Sequence, residues 1–157
     1  MNNEKFILVI ADDSKEMDVA LKYACARSKK TNRKIMIVTF IEPLDVLTTQ
    51  GVTEIMKNEA REDAEKRLKD ASSIVKESTG ELPVLHIREG DIIQELKNLI
   101  NEERNINVLV LGANVDEKEK DAGPIISSLV SRELSNIRIP IMIVPGNFSS
   151  EHISLIT

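Results

Sequence analysis

Four short stretches carry groups able to bind a polar ligand. Asp12, Asp13 and Ser14 follow an apolar run, Phe6 to Ala11. Phe40 and Ile41 close a second run that begins at Ile35. Gly112, Ala113 and Asn114 follow a third, Val108 to Leu111, and open into a charged loop. Ser127 and Ser128 come just after Gly123-Pro124, where a helical pattern begins. Adjacent carboxylates accept hydrogen bonds or hold a hydrated cation. A glycine lets the backbone approach a ligand closely. Hydroxyls at a helix start lie where unpaired N–H groups and the helix dipole favour an anion. The set suits a ligand with an adenine-sized body and a phosphate tail. Ordinary helix capping and turn formation would employ the same residue types, and spacing does not separate the two readings.

No catalytic constellation accompanies these groups. The G-x-S-x-G elbow, the H-E-x-x-H zinc pair, the G-x-x-x-x-G-K-[ST] phosphate loop and the G-x-G-x-x-G fingerprint are all missing. Two histidines and one cysteine leave little material for a nucleophilic triad, and a single cysteine excludes a cysteine-rich metal site. Cys25 falls on the apolar face of a helical pattern and reads as a small packed residue. His86 lies inside an apolar stretch and reads as a packed or half-exposed strand residue; His152 reads as solvated. Neither a catalytic nor a metal-ligating residue is assigned.

A chain of 157 residues supports one domain with a real core. Charged residues make up 30%, mixed in sign, with a net of −5, which argues against the basic stripe of a nucleic-acid surface. No apolar run approaches the roughly 20 residues that span a bilayer. The opening MNNEKFILVIADD has a short apolar core followed by acidic residues, so it reads as a first strand and not as a signal peptide. A cytoplasmic location with no membrane partner is the expectation.

The elements that would position the strand-end groups alternate strictly. The first two runs are apolar at every position, as in strands covered on both faces of a parallel sheet. Met17, Ala20, Leu21, Ala24, Cys25 and Ser28 mark a helix between them. Leu44 to Val52 has no clear period and reads as a loop over the site. Thr53 to Ser78 is an amphipathic helix through Met56, Ala60, Ala64, Leu68, Ala71 and Val75, with EAREDAEKRLKDA forming a solvated outer face. Leu82 to Arg88 is a strand whose Pro83 suits an edge. Asp91 with Gln94 caps the next helix, buried through Ile92, Leu96, Leu99 and Ile100. Asn107 to Gly146 then forms one strand–helix–strand unit, ending in the run Ile139 to Val144. Residues 147–157 read as a polar tail whose Ile153, Leu155 and Ile156 dock on a neighbour. Five strands and four helices in this order predict a single α/β domain over 1–157, a parallel sheet with right-handed crossovers. Ligands of such sheets sit outside the carboxyl ends of the strands.

The order of elements and several segments resemble the universal stress protein family over almost the whole chain. ILVIADDSKEMDVALKYA resembles that family's opening, with Asp12 and Ser14 matching and Asp13 in place of a glycine. HIREGDIIQELKNLI, NVLVLGA and SSLVSRELSNIRIPIMIVPG resemble its later segments. The resemblance implies a five-stranded parallel sheet of order 3-2-1-4-5 with helices on both faces. It also implies a homodimer paired through strand 139–144, and a stress-response module that either binds an adenine nucleotide, ATP or AMP, or has lost that capacity. Mg²⁺ would enter only with the nucleotide. The family's binding pattern is G-x2-G-x9-G-[ST]. Gly112 matches the first glycine and Ser128 the hydroxyl, whereas Val115 and Ser127 replace the other two glycines and the loop is two residues longer. The loop is acidic through Asp116, Glu117, Glu119 and Asp121 against Lys118 and Lys120. Those departures imply weak nucleotide binding centred on Asp12, Gly112 and Ser128.

Two other classes fit less of the sequence. Asp12-Asp13 resembles the acidic pair of a phosphoacceptor receiver domain, but the third strand ends in His86-Ile87-Arg88 without an aspartate and the last in Val144-Pro145 without a lysine. A slow ATPase would need a general base near the phosphate, and none is placed by the sequence.

Overall fold

A computed structural model of the protein describes residues 3–43, 50–119 and 121–157. Five strands form one parallel sheet: β1 (Phe6–Ile10), β2 (Lys34–Ile41), β3 (Val84–Glu89), β4 (Ile106–Ala113) and β5 (Ile141–Pro145). Their spatial order is β3-β2-β1-β4-β5, and every neighbouring pair is parallel. The reversal of order between β1 and β4 places a crevice at the top of the sheet.

Side chains alternate across the sheet with a period of two, and each face has its own helices. Ile7, Val9, Ile35, Ile37, Val108 and Val110 face α1 (Lys15–Thr31), α2 (Gln50–Thr79) and α5 (Ser150–Ile156). Leu8, Ile10, Met36, Val38, Leu109 and Leu111 face α3 (Ile92–Glu102) and α4 (Pro124–Ser128). Burying each such side chain is worth about 1.5–3 kcal/mol, which is why the apolar runs of the central strands are continuous. Ser14 caps α1, its hydroxyl accepting from the Met17 N–H at 3.2 Å, and Asp91 caps α3 by accepting from Gln94 N–H at 3.0 Å.

Several boundaries differ from the expectation. β4 runs on through Gly112 and Ala113, so Gly112 lies in the strand and not in the turn after it. β5 begins at Ile141; Ile139 is buried ahead of it, and the Pro140 carbonyl accepts from Leu109 N–H. β3 is displaced to Val84–Glu89, leaving Leu82 exposed, and occupies the edge that Pro83 suggested. Of the stretch read as a loop, Gln50 to Val52 are the first turn of α2, and 44–49 lie outside the described residues. After α4 the chain continues through a widened helical turn, Leu129–Glu133, and a tightened one, Leu134–Asn136.

The C-terminal residues do not form a polar tail. Ser149 caps α5, and Ile153 is buried with Phe148 against the α1 face of this same chain. Leu155 and Ile156 stay exposed. One helical turn can present only one face inward, and Ile153 takes it. Cys25 is fully buried in the same layer, and burial pushes its thiol up to about 11, against the weaker opposing pull of a Ser78 hydrogen bond and the Lys29 charge. It is a packed residue, as its position on the helix face implied.

Candidate ligand-binding site

The strand ends above β1 and β2 form a slot of about 210 Å³. Its walls are apolar, from Ile10, Phe40, Ile92 and Ile125, and its polar groups are Asp12, Glu42, Thr39 and Arg67. A wider cleft of about 510 Å³ opens beside it, between the starts of α3 and α4, and shares Glu42, Ile92 and Ile125 with the slot. Ser128 lines this cleft together with Asp91 and Pro124. The two spaces lie side by side, sharing those three lining residues, and together make up a trough at the carboxyl ends of the strands.

Arg67 is the cation of the slot. It reaches from α2 over the end of β2, donating Nε–H to Thr39 Oγ1 at 2.9 Å and Nη2–H to the Phe40 carbonyl at 3.2 Å. The Thr39 hydroxyl in turn donates to the Ala11 carbonyl at 2.7 Å, so the guanidinium is tied to both β1 and β2. Its side chain is 18% exposed, and Nη1 comes within 3.9 Å of the largely exposed Asp13 carboxylate. An ion pair of that length and exposure contributes little; the fixed orientation comes from the hydrogen bonds. The sequence reading placed Arg67 in a solvated face. Its spacing from Ala64, Leu68 and Ala71, three buried residues at i−3, i+1 and i+4, was the available signal that it lies on the inward side.

The other expected residues separate. Asp12 Oδ1 accepts from Ser14 N–H at 2.9 Å and from its hydroxyl at 2.6 Å, so one carboxylate oxygen is engaged in the turn before α1. Asp13 holds a left-handed backbone, φ 65°, which lets the chain turn there without the family's glycine. Phe40 borders the slot, while Ile41 does not, its carbonyl accepting from Gly90 N–H. Ala113 and Asn114 line a different depression, about 360 Å³, with Lys15, Val115 and Gly146. Ser14, Gly112 and Ser127 border neither part of the trough.

Three N–H groups of the expected phosphate cradle donate to the protein's own acceptors. Ser127 N–H donates to the Gly123 carbonyl at 3.0 Å, because α4 begins at Pro124 and Ser127 already lies inside its first turn; the expectation of a free N–H there is incorrect. Gly112 N–H points to the Met17 sulfur at 3.4 Å, and Asn114 N–H donates to the Ala122 carbonyl at 2.9 Å, closing the loop on itself. Within the loop, Asn114 Oδ1 accepts from Asp116 N–H, Asp116 Oδ1 from Lys118 N–H, and Asp121 Oδ1 from Gly123 N–H. These side chains shape a turn. Among the described residues no group of three or more His, Cys, Asp or Glu side chains is arranged to hold a metal ion. No helix among them is long and apolar enough to cross a membrane.

The slot therefore fits a flat apolar ring with polar edges, and the N–H groups of Gly112, Asn114 and Ser127 in the expected cradle are already hydrogen-bonded. Among the described lining residues of the trough the carboxylates Asp12, Glu42 and Asp91 outnumber the one cation, Arg67, and give an acidic balance.

Solved structures share this fold. A universal stress protein from Burkholderia pseudomallei superposes with a TM-score of 0.69 at 20% identity, covering 92% of this chain and 98% of that one. A universal stress protein in complex with cAMP gives 0.64 at 18% identity, with 91% and 98% covered. One from Arabidopsis thaliana with AMP bound gives 0.61 at 12% identity, with 90% and 91% covered. No individually curated protein matches the chain significantly. The model of the universal stress protein family matches residues 5–145, spanning all five strands, and the chain belongs to that family.

Proposed function

We propose that this protein is a non-catalytic binding module that holds a purine nucleoside or short-tailed nucleotide in the trough above β1 and β2, and that it acts as a homodimer in the response to stress. The slot beside Arg67 carries the reading: apolar walls of ring dimensions with one donor group and carboxylate acceptors at the edges. Two relatives of the same fold hold adenine monophosphates, cAMP and AMP, which supports a ligand of this kind here. ATP is the weaker candidate. Gly112, Asn114 and Ser127 N–H groups are all hydrogen-bonded internally, and the loop after β4 is acidic. Each lost hydrogen bond to a charged phosphate weakens binding by about 1.5–3 kcal/mol.

The proposed dimer is supported by the position of β5. It is an edge strand, and its Ile143 side chain is 44% exposed. An apolar free edge promotes pairing with another strand, and a symmetric copy of itself is the simplest occupant.

Calorimetric titration with AMP, cAMP and ATP, each with and without Mg²⁺, tests the binding claim, with phosphate release followed in parallel. Binding of the monophosphates at least as tight as that of ATP, without turnover, is expected. Tight ATP binding with hydrolysis would replace this reading with that of an ATPase.

A further inference from the structure

Arg67 has an unused fork. Its Nε and one Nη2 hydrogen are engaged by Thr39 and the Phe40 carbonyl. Among the described residues Nη1 makes no hydrogen bond, only the 3.9 Å approach to Asp13. The terminal Nη1/Nη2 edge of the guanidinium, held by two other bonds, thus presents donors side by side. Such an edge pairs with two adjacent acceptors: a carboxylate, a phosphate, or the O6 and N7 of a 6-oxopurine.

The surroundings choose among these. The two cavities that Arg67 borders, of about 210 and 140 Å³, are also lined by Asp12, Asp13, Asp18, Asp70 and Glu42. Of these only Asp12 and Glu42 line the slot itself, and Asp13, Asp18 and Asp70 line the smaller cavity on the other side. Two carboxylates against one guanidinium still disfavour a phosphate dianion or a second carboxylate in the slot, while a neutral pair of acceptors meets no such opposition. Adenine supplies only one acceptor on that edge, N7, beside an amino group that would face the Arg67 donors. Guanine and hypoxanthine supply two. Their N1–H can donate to an ionised carboxylate, which only accepts.

We propose that Arg67 is a specificity-determining residue that turns the trough toward 6-oxopurines, so that guanine and hypoxanthine nucleotides bind in preference to adenine nucleotides. This rests on the reading that the trough holds a purine. Thr39 acts as its positioning residue, since its hydroxyl fixes the guanidinium to β1 and β2.

The test is calorimetric titration of the whole protein with GMP, IMP, AMP and guanosine, repeated on Arg67→Lys and Thr39→Val, with a thermal melt to show that each variant is folded. Arg67→Lys keeps the charge and loses the fork. The expected result is that GMP and IMP bind more tightly than AMP by at least about fivefold, the lower end of what a bidentate guanidinium–purine pair confers. Guanosine retains the preference over AMP, Arg67→Lys abolishes it, and Thr39→Val reduces it. AMP binding as tightly as GMP in the unmodified protein overturns the base preference while leaving a purine site in place. Equal loss of GMP and AMP binding in Arg67→Lys, with guanosine not bound, would mean that the fork holds a phosphate, and overturns it equally. Failure of all four to bind the folded protein refutes the purine site and the inference together.

Discussion

Gly112 and Glu16 are packed so closely that no side chain fits between them. A Cβ on Gly112 would lie 1.9 Å from the Glu16 carbonyl oxygen, at the first turn of α1. Gly146 adjoins the same residue, where a Cβ would meet Glu16 Cβ at 2.6 Å and the Ala113 carbonyl at 2.7 Å. The glycine that matches the family's binding pattern is therefore required here for seating α1 on β4. Gly112→Ala should push α1 off the sheet and destabilise the fold by about 3 kcal/mol or more, at or beyond the upper end of ordinary overpacking. Chemical denaturation of the variant checks this; a loss under about 1 kcal/mol would mean that the helix yields easily.

Val115 and Ser127 stand where the family pattern has glycines, and the structure separates their effects. Ser127 N–H is bonded to Gly123, so Ser127→Gly exposes no new donor and loosens α4. Val115 is exposed on a loop closed by the Asn114–Ala122 bond. The double change Val115→Gly with Ser127→Gly should raise ATP affinity by less than about tenfold, or 1.4 kcal/mol. A larger gain in calorimetric titration with ATP and Mg²⁺ would show that the two side chains alone block the phosphates.

His86 gives stability a pH dependence of known sign. Burial holds its imidazole below the usual histidine value, opposed by the charges of Glu103 and Glu102 and reinforced by Arg88. Its Nε2 is buried and has no hydrogen-bond partner among the described residues. The unfolded chain binds the proton more readily than the folded one, so this contribution is full above about pH 6.5 and declines as pH falls through that value toward the lower folded pKa. His86→Gln should flatten the acid side of a stability-against-pH curve. An unchanged slope between about pH 7 and 5 would place the dependence elsewhere.

The β5 edge offers a direct test of association. Ile143→Lys places a charge on the exposed edge strand, a device that proteins use to block strand pairing. Sedimentation at micromolar concentration should give a dimer mass for the unmodified protein and a monomer mass for the variant. A monomer in both cases removes the proposed dimer.

The apolar runs and their alternation with helical stripes determined the architecture. Ile7 to Ile10, Ile35 to Ile37 and Val108 to Leu111 are buried at every position because both faces of the sheet are covered, and a run of that kind is visible in one dimension. Local caps were legible for the same reason: Ser14 and Asp91 act on N–H groups three residues away. Only the tertiary structure decided which polar groups remain available to a ligand. A backbone N–H is spent or free according to partners that arrive from elsewhere in the chain. Gly112 meets Met17 across 95 residues, and Arg67 meets Thr39 across 28. Hydrophobic periodicity records the direction a side chain faces; it carries no record of which distant atom completes a hydrogen bond. The N–H groups of Gly112 and Ser127 are consequently engaged by internal bonds while Ser128, the other half of the expected phosphate site, lines the wider cleft, and the guanidinium that defines the slot comes from a helix whose charged run reads as solvated.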